Sequence, residues 1–226
     1  MVRWGSVAIV LLLAGCAGAP QVEKVTQIYV CAAEDCGPAG QRYTAPQLLG
    51  AMYKLLQKNE GKDFTICSSD IQSRNCQSEG VSYFVQGGPI PGVGSQSSGK
   101  MEKVKLDAAN QAVTGTMNSY LRFIGVPLAC VPHDTVVAVR SIDEITITDT
   151  PYYCNWMAVG NMTASFSFAV ESVDFDKGRI GGYWSHSVVG NAGGKGGGYA
   201  VLQFPEAMPR GENWLNGADA SRSAAK

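Results

Sequence analysis

The sequence predicts an α+β fold in which a twisted antiparallel sheet carries two amphipathic helices on one face and ends in a C-terminal β-meander. Two segments of the first half repeat apolar residues at intervals of three and four, which is the period of a helix. Residues 162–171 alternate apolar and polar side chains, which is the period of a half-buried antiparallel strand. Charged residues make up only 16% of the chain and glycine is abundant, which favours β structure and packed loops. An all-β barrel with added helices is the alternative.

The first helix is predicted from Pro46 to Asn59. Thr44 is suited to cap its N-terminus, and proline is tolerated in the first turn because its missing N–H has no partner there. Gly61 supplies the stop. We expect the apolar stripe to pack against the sheet, and it consists of Leu48, Leu49, Met52, Leu55 and Leu56.

The second helix is predicted from Ala108 to Ile124, with Asp107 as its N-cap. Gly125 supplies its stop signal. Gly115 would lie in the middle of this helix and weaken it by about 1 kcal/mol relative to alanine. A close packing contact would explain that glycine.

Eight further segments are rich in β-branched and aromatic residues or alternate in hydropathy, and are predicted to be strands or parts of strands. They are residues 27–33, 63–67, 81–85, 135–140, 144–148, 162–170, 180–189 and 199–204. Residues 135–148 form one bent strand or two, and the last three segments form the meander. The Gly- and Pro-rich residues 87–100 are predicted to be a long surface loop or linker, and residues 190–198 a flexible loop.

The chain has seven cysteines, and the six that follow Cys16 are predicted to form disulfides, as is usual for an exported protein. Six cysteines allow 15 pairings. Spacing favours neighbours, which would give Cys31–Cys36, Cys67–Cys76 and Cys130–Cys154. A metal or redox centre is the weaker interpretation, because the chain has two histidines and no Cys-x-x-Cys.

The N-terminus carries a basic residue, Arg3, then an apolar run from Val7 to Leu13, and then Leu13-Ala14-Gly15-Cys16. This run is shorter than the roughly 20 residues that span a bilayer and is typical of a secretory signal. The segment resembles the signal peptide and lipobox of bacterial lipoproteins. The resemblance implies cleavage before Cys16 and lipidation of that cysteine, with palmitate among the acyl chains. Ala17 is not the aspartate that retains such proteins at the inner membrane, which implies the outer membrane.

The predicted organisation has four parts. Residues 1–15 are a signal peptide, residues 16–26 a lipidated tether, residues 27–205 a single α+β domain, and residues 206–226 a flexible tail. Residues 173–182, with an Asp-Phe turn and a Gly-rich return strand, are also similar to hairpins of surface lipoproteins that have small β-barrel domains.

No motif names a reaction, and we predict no catalytic residue, metal ion or cofactor. The Gly-rich loop at residues 190–198 lacks the spacing and the hydroxyl residue of a phosphate loop, and no Gly-x-Ser-x-Gly elbow is present. The net charge is −1 and no Lys/Arg run occurs, which argues against nucleic acid as a partner.

The strand around Trp184 offers a speculative ligand site. Trp184 and His186 would project from one face and Tyr183 from the other. A Trp–His pair can line a pocket, although a core strand with one hydrogen-bonded histidine explains the pattern equally well. His133 is expected to be an exposed loop histidine before a strand.

Three functions follow from these expectations. The leading hypothesis is a non-catalytic outer-membrane lipoprotein that acts as an accessory or assembly component of an envelope complex. It would meet the membrane through its lipid and an envelope protein as partner. The second is a lipoprotein that binds a small ligand near Trp184 and His186. The third is an envelope hydrolase that uses His133 or His186 beside a nucleophile.

Overall fold

A computed structural model describes residues 25–32, 35–41, 43–69, 81–85, 88–95, 97–123, 126–156, 160–190 and 194–208. The helices are a short 3₁₀ turn (Ala39–Gln41) and α1 (Ala45–Lys58). The strands are β1 (Tyr29–Ala32), β2 (Asp35–Pro38), β3 (Asp63–Ser69), β4 (Val81–Val85), β5 (Gly88–Ser95), β6 (Ser97–Asp107), β7 (Ala112–Phe123), β8 (Val126–Cys130), β9 (His133–Ser141), β10 (Glu144–Asp149), β11 (Tyr152–Trp156), β12 (Gly160–Asp174), β13 (Arg179–Gly190) and β14 (Gly194–Gln203).

Eight of these strands form a closed antiparallel barrel. Their order around the barrel is β12, β13, β14, β3, β6, β7, β9 and β10, and β10 pairs with β12 to complete the circle. A second pair, β8 and β11, bridges β7 and β12 beyond the end of β9 and β10. The hairpin of β4 and β5 forms a separate two-stranded sheet.

The predicted α+β fold with two helices is wrong, because residues 112–123 form strand β7 and not a helix. Strand β7 pairs with β6 on one side and with β8 and β9 on the other. Val113 and Met117 are four residues apart, which fits one face of a helix. Together with Gly115 they also alternate every second residue, which fits one face of a strand, and pairing within the barrel favours the strand. A Cβ on Gly115 would lie 2.6 Å from the Met101 side chain and 3.0 Å from a backbone oxygen of β6. The close contact expected at this glycine is therefore present, but between strands.

Asp107 caps a turn and not a helix. It accepts a hydrogen bond from the Asn110 backbone N–H (3.1 Å) and another from the Asn110 side-chain amide (2.7 Å). The side-chain bond, with the backbone bond next, lowers the pKa of the Asp107 carboxyl. These bonds stabilise the tight β6–β7 connection. The Asp107 carboxylate accepts them within the turn, whereas in the predicted helix it would have accepted hydrogen bonds from N–H groups of the first turn.

The first helix is confirmed over Ala45–Lys58. Thr44 and Gln47 form a reciprocal capping box, and the predicted leucine and methionine stripe is buried. Helix α1 packs against β6, β7 and β9 and, with β1, β2 and residues 204–208, covers one end of the barrel. We call this the lower end, and the opposite end, where β12 begins and β13 finishes, the upper end.

Two predicted loops are wrong. Residues 88–95 and 97–100 belong to β5 and β6, and residues 194–198 belong to β14. Glycine suits such strands where another group must approach closely. At Gly99 the Phe64 ring occupies the space that a Cβ would need, at 2.5 Å. The remaining predicted strands are present, residues 135–148 form two strands, and the meander consists of β12, β13 and β14.

Two of the three predicted disulfides are present. Cys31 pairs with Cys36 between β1 and β2, and Cys130 with Cys154 between β8 and β11. The third prediction involves Cys76, which lies outside the described residues. The lipobox with Cys16, and the tail from residue 209 onward, also lie outside them.

One large apolar cluster fills the lower part of the barrel and extends to α1. Its largest fully buried side chains include Phe168, Phe175, Leu48 and Met52. Within the described ranges, no helix has both the length and the apolar character needed to cross a membrane.

Candidate functional site

Polar side chains enter the apolar interior at one level, towards the upper end of the barrel. We define this polar layer as His133, Thr135, Asp149 and His186. His133 and Thr135 begin β9, Asp149 ends β10, and His186 lies in the upper half of β13. Register brings them together, because Asp149 pairs with Thr135 across β9 and β10.

Strand alternation explains why these side chains point inward. His133 and Thr135 share the period of the buried Val137 and Val139, which line the barrel. Asp149 follows Ile145 and Ile147 in the same way on β10. The apolar part of each strand thus sets the direction of the polar residue at its upper end.

Asp149 is the centre of a buried hydrogen-bond network. Its Oδ2 lies 3.1 Å from His133 Nε2, and its Oδ1 accepts the Thr135 hydroxyl at 2.5 Å. The side chains of His133 and Asp149 are 2% and 6% exposed. A pair of ionisable groups buried to this extent is costly unless it is well hydrogen-bonded.

The contacts of His133 show how the pair holds a proton. Its Nδ1 lies 3.1 Å from the Val131 carbonyl oxygen and donates to it, because a carbonyl only accepts. The contact between Nε2 and Asp149 Oδ2 then requires one proton, carried by either partner. Both ring nitrogens of His133 are therefore used within the fold.

Tyr152 covers the His133 ring from the side of β11. The two rings are stacked with centroids 3.7 Å apart and planes 8° apart. Tyr152 is buried with Cys154 and Ala164, next to the Cys130–Cys154 disulfide. This stack fixes the plane of the imidazole and shields the contact between His133 and Asp149 from solvent.

His186 differs from His133 because its interior nitrogen is unused. His186 Nε2 has almost no contact with solvent and, among the residues that the structure describes, no hydrogen-bond partner. It lies opposite Phe166 of β12. Burial lowers the pKa of His186, and the negative charge of Asp149 opposes this shift without reversing it. His186 is thus a neutral imidazole with unused hydrogen-bonding capacity.

The other two speculative ligand residues lie on opposite faces of β13. Trp184 is 6% exposed and belongs to the main interior cluster, beside Phe168 of β12. Tyr183 lies on the outer face, where its ring meets that of Tyr199 edge-on at 5.3 Å. Trp184 and His186 therefore share the interior with the polar layer, and Tyr183 does not.

The polar layer lacks the arrangement of a catalytic triad. The Thr135 hydroxyl donates to Asp149, and His133 has no described nucleophile within hydrogen-bond distance. Over the described ranges, no three His, Cys, Asp or Glu side chains lie together as metal ligands.

Sequence reasoning missed Asp149, Thr135 and Tyr152, and the prediction of an exposed His133 is wrong, because His133 is 5% exposed. A signal was present in the sequence. If the alternation of β9 is continued back to residue 133, the histidine falls on the buried face. Pro132 suggested a turn at this point, so the predicted strand began at residue 135 and left His133 outside it.

No family model matches the chain, and comparisons with curated proteins and with solved structures find no match either.

Proposed function

We propose that this protein is a lipid-anchored lipoprotein of the bacterial outer membrane, with a non-catalytic role as an accessory or assembly component of an envelope complex. The observation that carries the non-catalytic role is the closed hydrogen-bond network of Asp149. Both nitrogens of His133 and both oxygens of Asp149 have partners inside the barrel. A general base needs a free nitrogen beside the proton that it removes. His133 has no free nitrogen, and the free Nε2 of His186 has no hydrogen-bond partner among the described residues, so no nucleophile lies beside it.

The lipobox around Cys16 supports the anchor, and the disulfides Cys31–Cys36 and Cys130–Cys154 support an oxidising compartment such as the periplasm or cell surface. Three acyl chains would hold the protein stably on a bilayer, since each buried methylene contributes about 0.8 kcal/mol. In this proposal the barrel is a rigid module presented at the membrane.

The test of the anchor is metabolic labelling with an alkyne analogue of palmitate. We expect the tagged protein to be labelled and Cys16→Ala to be unlabelled. An Ala17→Asp variant should remain labelled but move from the outer-membrane to the inner-membrane fraction. Equal labelling of the Cys16→Ala variant would refute the anchor.

The test of the accessory role is chemical crosslinking in intact cells, followed by purification through a C-terminal tag and mass spectrometry. We expect a stoichiometric envelope protein. Recovery of monomer alone would argue against a complex and would favour the second candidate function, binding of a small ligand.

The second candidate function is binding of a small ligand, and the unused Nε2 of His186 favours it. An eight-stranded barrel is just wide enough to hold side chains or one small ligand. The ligand would be small and uncharged, with one group that hydrogen-bonds to Nε2 and an apolar part against Phe166.

A ligand screen by thermal stabilisation tests this candidate. Trp184→Ala is a poor probe, because emptying a site that is 6% exposed would cost about 3–5 kcal/mol of stability. His186→Phe is better, since it keeps the ring and removes the hydrogen bond. Ser185→Ala, on the outer face of the same strand, is the matched control. A compound that stabilises the wild type and Ser185→Ala but not His186→Phe supports binding, and equal stabilisation of all three would exclude this site.

A further inference from the structure

Exposed side chains form a row across the outer face of the upper end. Val131, Tyr153 and Val189 are 48%, 65% and 69% exposed, which makes them three of the four large exposed hydrophobic residues in the described ranges. The Val131 N–H donates to the Tyr153 carbonyl oxygen, Tyr153 pairs with Thr163, and Thr163 pairs with Val189. Since neighbouring strands lie about 4.8 Å apart, this apolar row is roughly 15 Å long.

The surface around the apolar row carries hydroxyl and amide groups. The outward positions beside it on β11, β12 and β13 are Asn155, Asn161, Ser165, Ser167, Ser185 and Ser187. The exposed ion pairs of the described chain lie towards the lower end, as in Lys62–Glu206 and Lys177–Asp174. Charged residues are few here: Asp134 follows Val131 by three residues, and Lys195 pairs with Ser187 across β13 and β14. An apolar contact would rest on Val131, Tyr153 and Val189, because burying the surrounding hydroxyl and amide groups without hydrogen bonds costs free energy.

The chain that precedes the described residues starts from the same side of the barrel. Val25 packs against Tyr183, Tyr199 and Val201 on the outer face of β13 and β14. From Tyr183 to Val189 the strand advances about 20 Å towards the upper end. Eight residues lie between Cys16 and Val25, and the nine Cα–Cα steps span at most about 30 Å. A lipid on Cys16 therefore lies within reach of the apolar row.

We propose that the apolar row docks on the leaflet that holds the lipid anchor, with Tyr153 and Val189 inserted at the interface. This inference rests on the proposed lipidation of Cys16. Tyrosine suits the boundary between acyl chains and headgroups because its ring is apolar and its hydroxyl is polar. The anchor keeps the protein at the bilayer, so even a surface that binds lipid weakly is sufficient to set the orientation of the barrel.

The docked orientation would place the barrel on its side. The outer faces of β11, β12 and β13 would lie against the membrane, and α1 with the lower end would stay accessible to a protein partner.

The experiment uses the mature lipidated protein, from Cys16 onward, in phosphatidylcholine vesicles that contain a lipid with a photoreactive diazirine in its acyl chain. After illumination, mass spectrometry locates the labelled residues. We expect several-fold more label on the peptides with Tyr153 and Val189 than on the peptide with Tyr29, which is the matched control because it is an exposed tyrosine (43%) at the lower end. The double variant Tyr153→Ser/Val189→Ser should lose this label, and Tyr29→Ser should keep it.

Each other outcome is decisive. An intact mass without acyl chains would refute the anchor and with it the proposed function. A lipidated protein with equal label on Tyr29 and Tyr153 would overturn the docking alone. A dimer in solution that the double variant dissociates would assign the row to a second copy, and a crosslinked envelope protein that the double variant loses would assign it to a protein partner. Unchanged circular dichroism and melting temperature would show that the double variant is folded.

Discussion

Replacing Asp149 by asparagine tests whether the polar layer is a closed structural network. The substitution keeps the shape of the side chain and removes its charge. The amide oxygen can still accept the Thr135 hydroxyl, and the amide nitrogen can donate to His133 Nε2, because the His133 proton on Nδ1 is held by the Val131 carbonyl. Both contacts therefore survive as neutral hydrogen bonds, and only the contribution of the charge is lost. The site is too buried for water to compensate for the lost charge, since the Asp149 side chain is 6% exposed.

The expected cost follows from the two hydrogen bonds of Asp149. A bond to a charged group contributes about 1.5–3 kcal/mol, and removing one partner of a buried ion pair costs about 3–5 kcal/mol. Because asparagine keeps both contacts as neutral hydrogen bonds, we expect Asp149→Asn to lower the free energy of unfolding by about 1–2 kcal/mol, whereas Asp149→Ala removes both bonds and should lower it by about 3–5 kcal/mol. For a domain of this size the first value corresponds to a melting temperature lower by roughly 2–8 °C.

The assay is urea unfolding at pH 7 with the disulfides intact, followed by circular dichroism. Asp134→Asn is the matched control, because Asp134 is an exposed aspartate of β9 that contributes only its backbone carbonyl to Thr150. A double-mutant cycle with His133→Asn should give a coupling of about 1–3 kcal/mol, as expected for residues in contact. If Asp149→Asn and Asp134→Asn unfold with free energies within about 0.5 kcal/mol of each other, the network carries no stability and the reasoning fails.

Three further outcomes are expected. The folded pKa of His186 lies below its usual 6.5, so the unfolded chain binds more protons as the pH falls from 6.5 towards that folded pKa. The free energy of unfolding should therefore fall over this window by up to about 1.4 kcal/mol per pH unit. In urea titrations at several pH values, the free energy of unfolding of His186→Gln should fall less steeply. Gly182→Ala would place a Cβ 2.1 Å from a backbone oxygen of β12 and should cost about 1–3 kcal/mol or more, whereas the exposed Gly40→Ala meets only ordinary contacts and should melt as wild type. Replacing Cys154 and its partner by serine opens a disulfide that links residues 24 apart, and should cost about 3–4 kcal/mol, against about 2 kcal/mol for the pair of Cys31, whose partner is 5 residues away. Equal losses for the two pairs would contradict the loop-length argument.

The predictable parts of the fold are those whose signals are local. Helix α1 carries its cap, its apolar stripe and its stop within 18 residues (Thr44–Gly61), and nothing in the tertiary structure competes with them. The meander was predictable because the alternation from Met162 to Val170 continues in strands that are neighbours in sequence. The two disulfides follow short loops, and each joins paired strands.

The errors fall where tertiary pairing overrides local preference. Val113 and Met117 are four residues apart, which fits a helix and a strand alike, and the hydrogen bonds of β6 and β9 decide between them. In the sequence Gly99 is typical of a loop, but in the fold it lies in a strand where the Phe64 ring occupies the space that a side chain would need. The site was hidden for the same reason, because His133 and Asp149 are 16 residues apart and meet only through the register of β9 and β10.

By itself the sequence determined the first helix and two disulfides between neighbouring cysteines, and the lipobox at Cys16 stays a prediction. Each depends on groups that are close along the chain, where periodicity and spacing are sufficient information. Only the tertiary structure decided that the sheet closes on itself, because closure requires β10 to reach β12 and no local pattern encodes that contact. Closure turns the inward faces of separate strands towards one interior, and this is why His133, Asp149 and His186 share one buried layer.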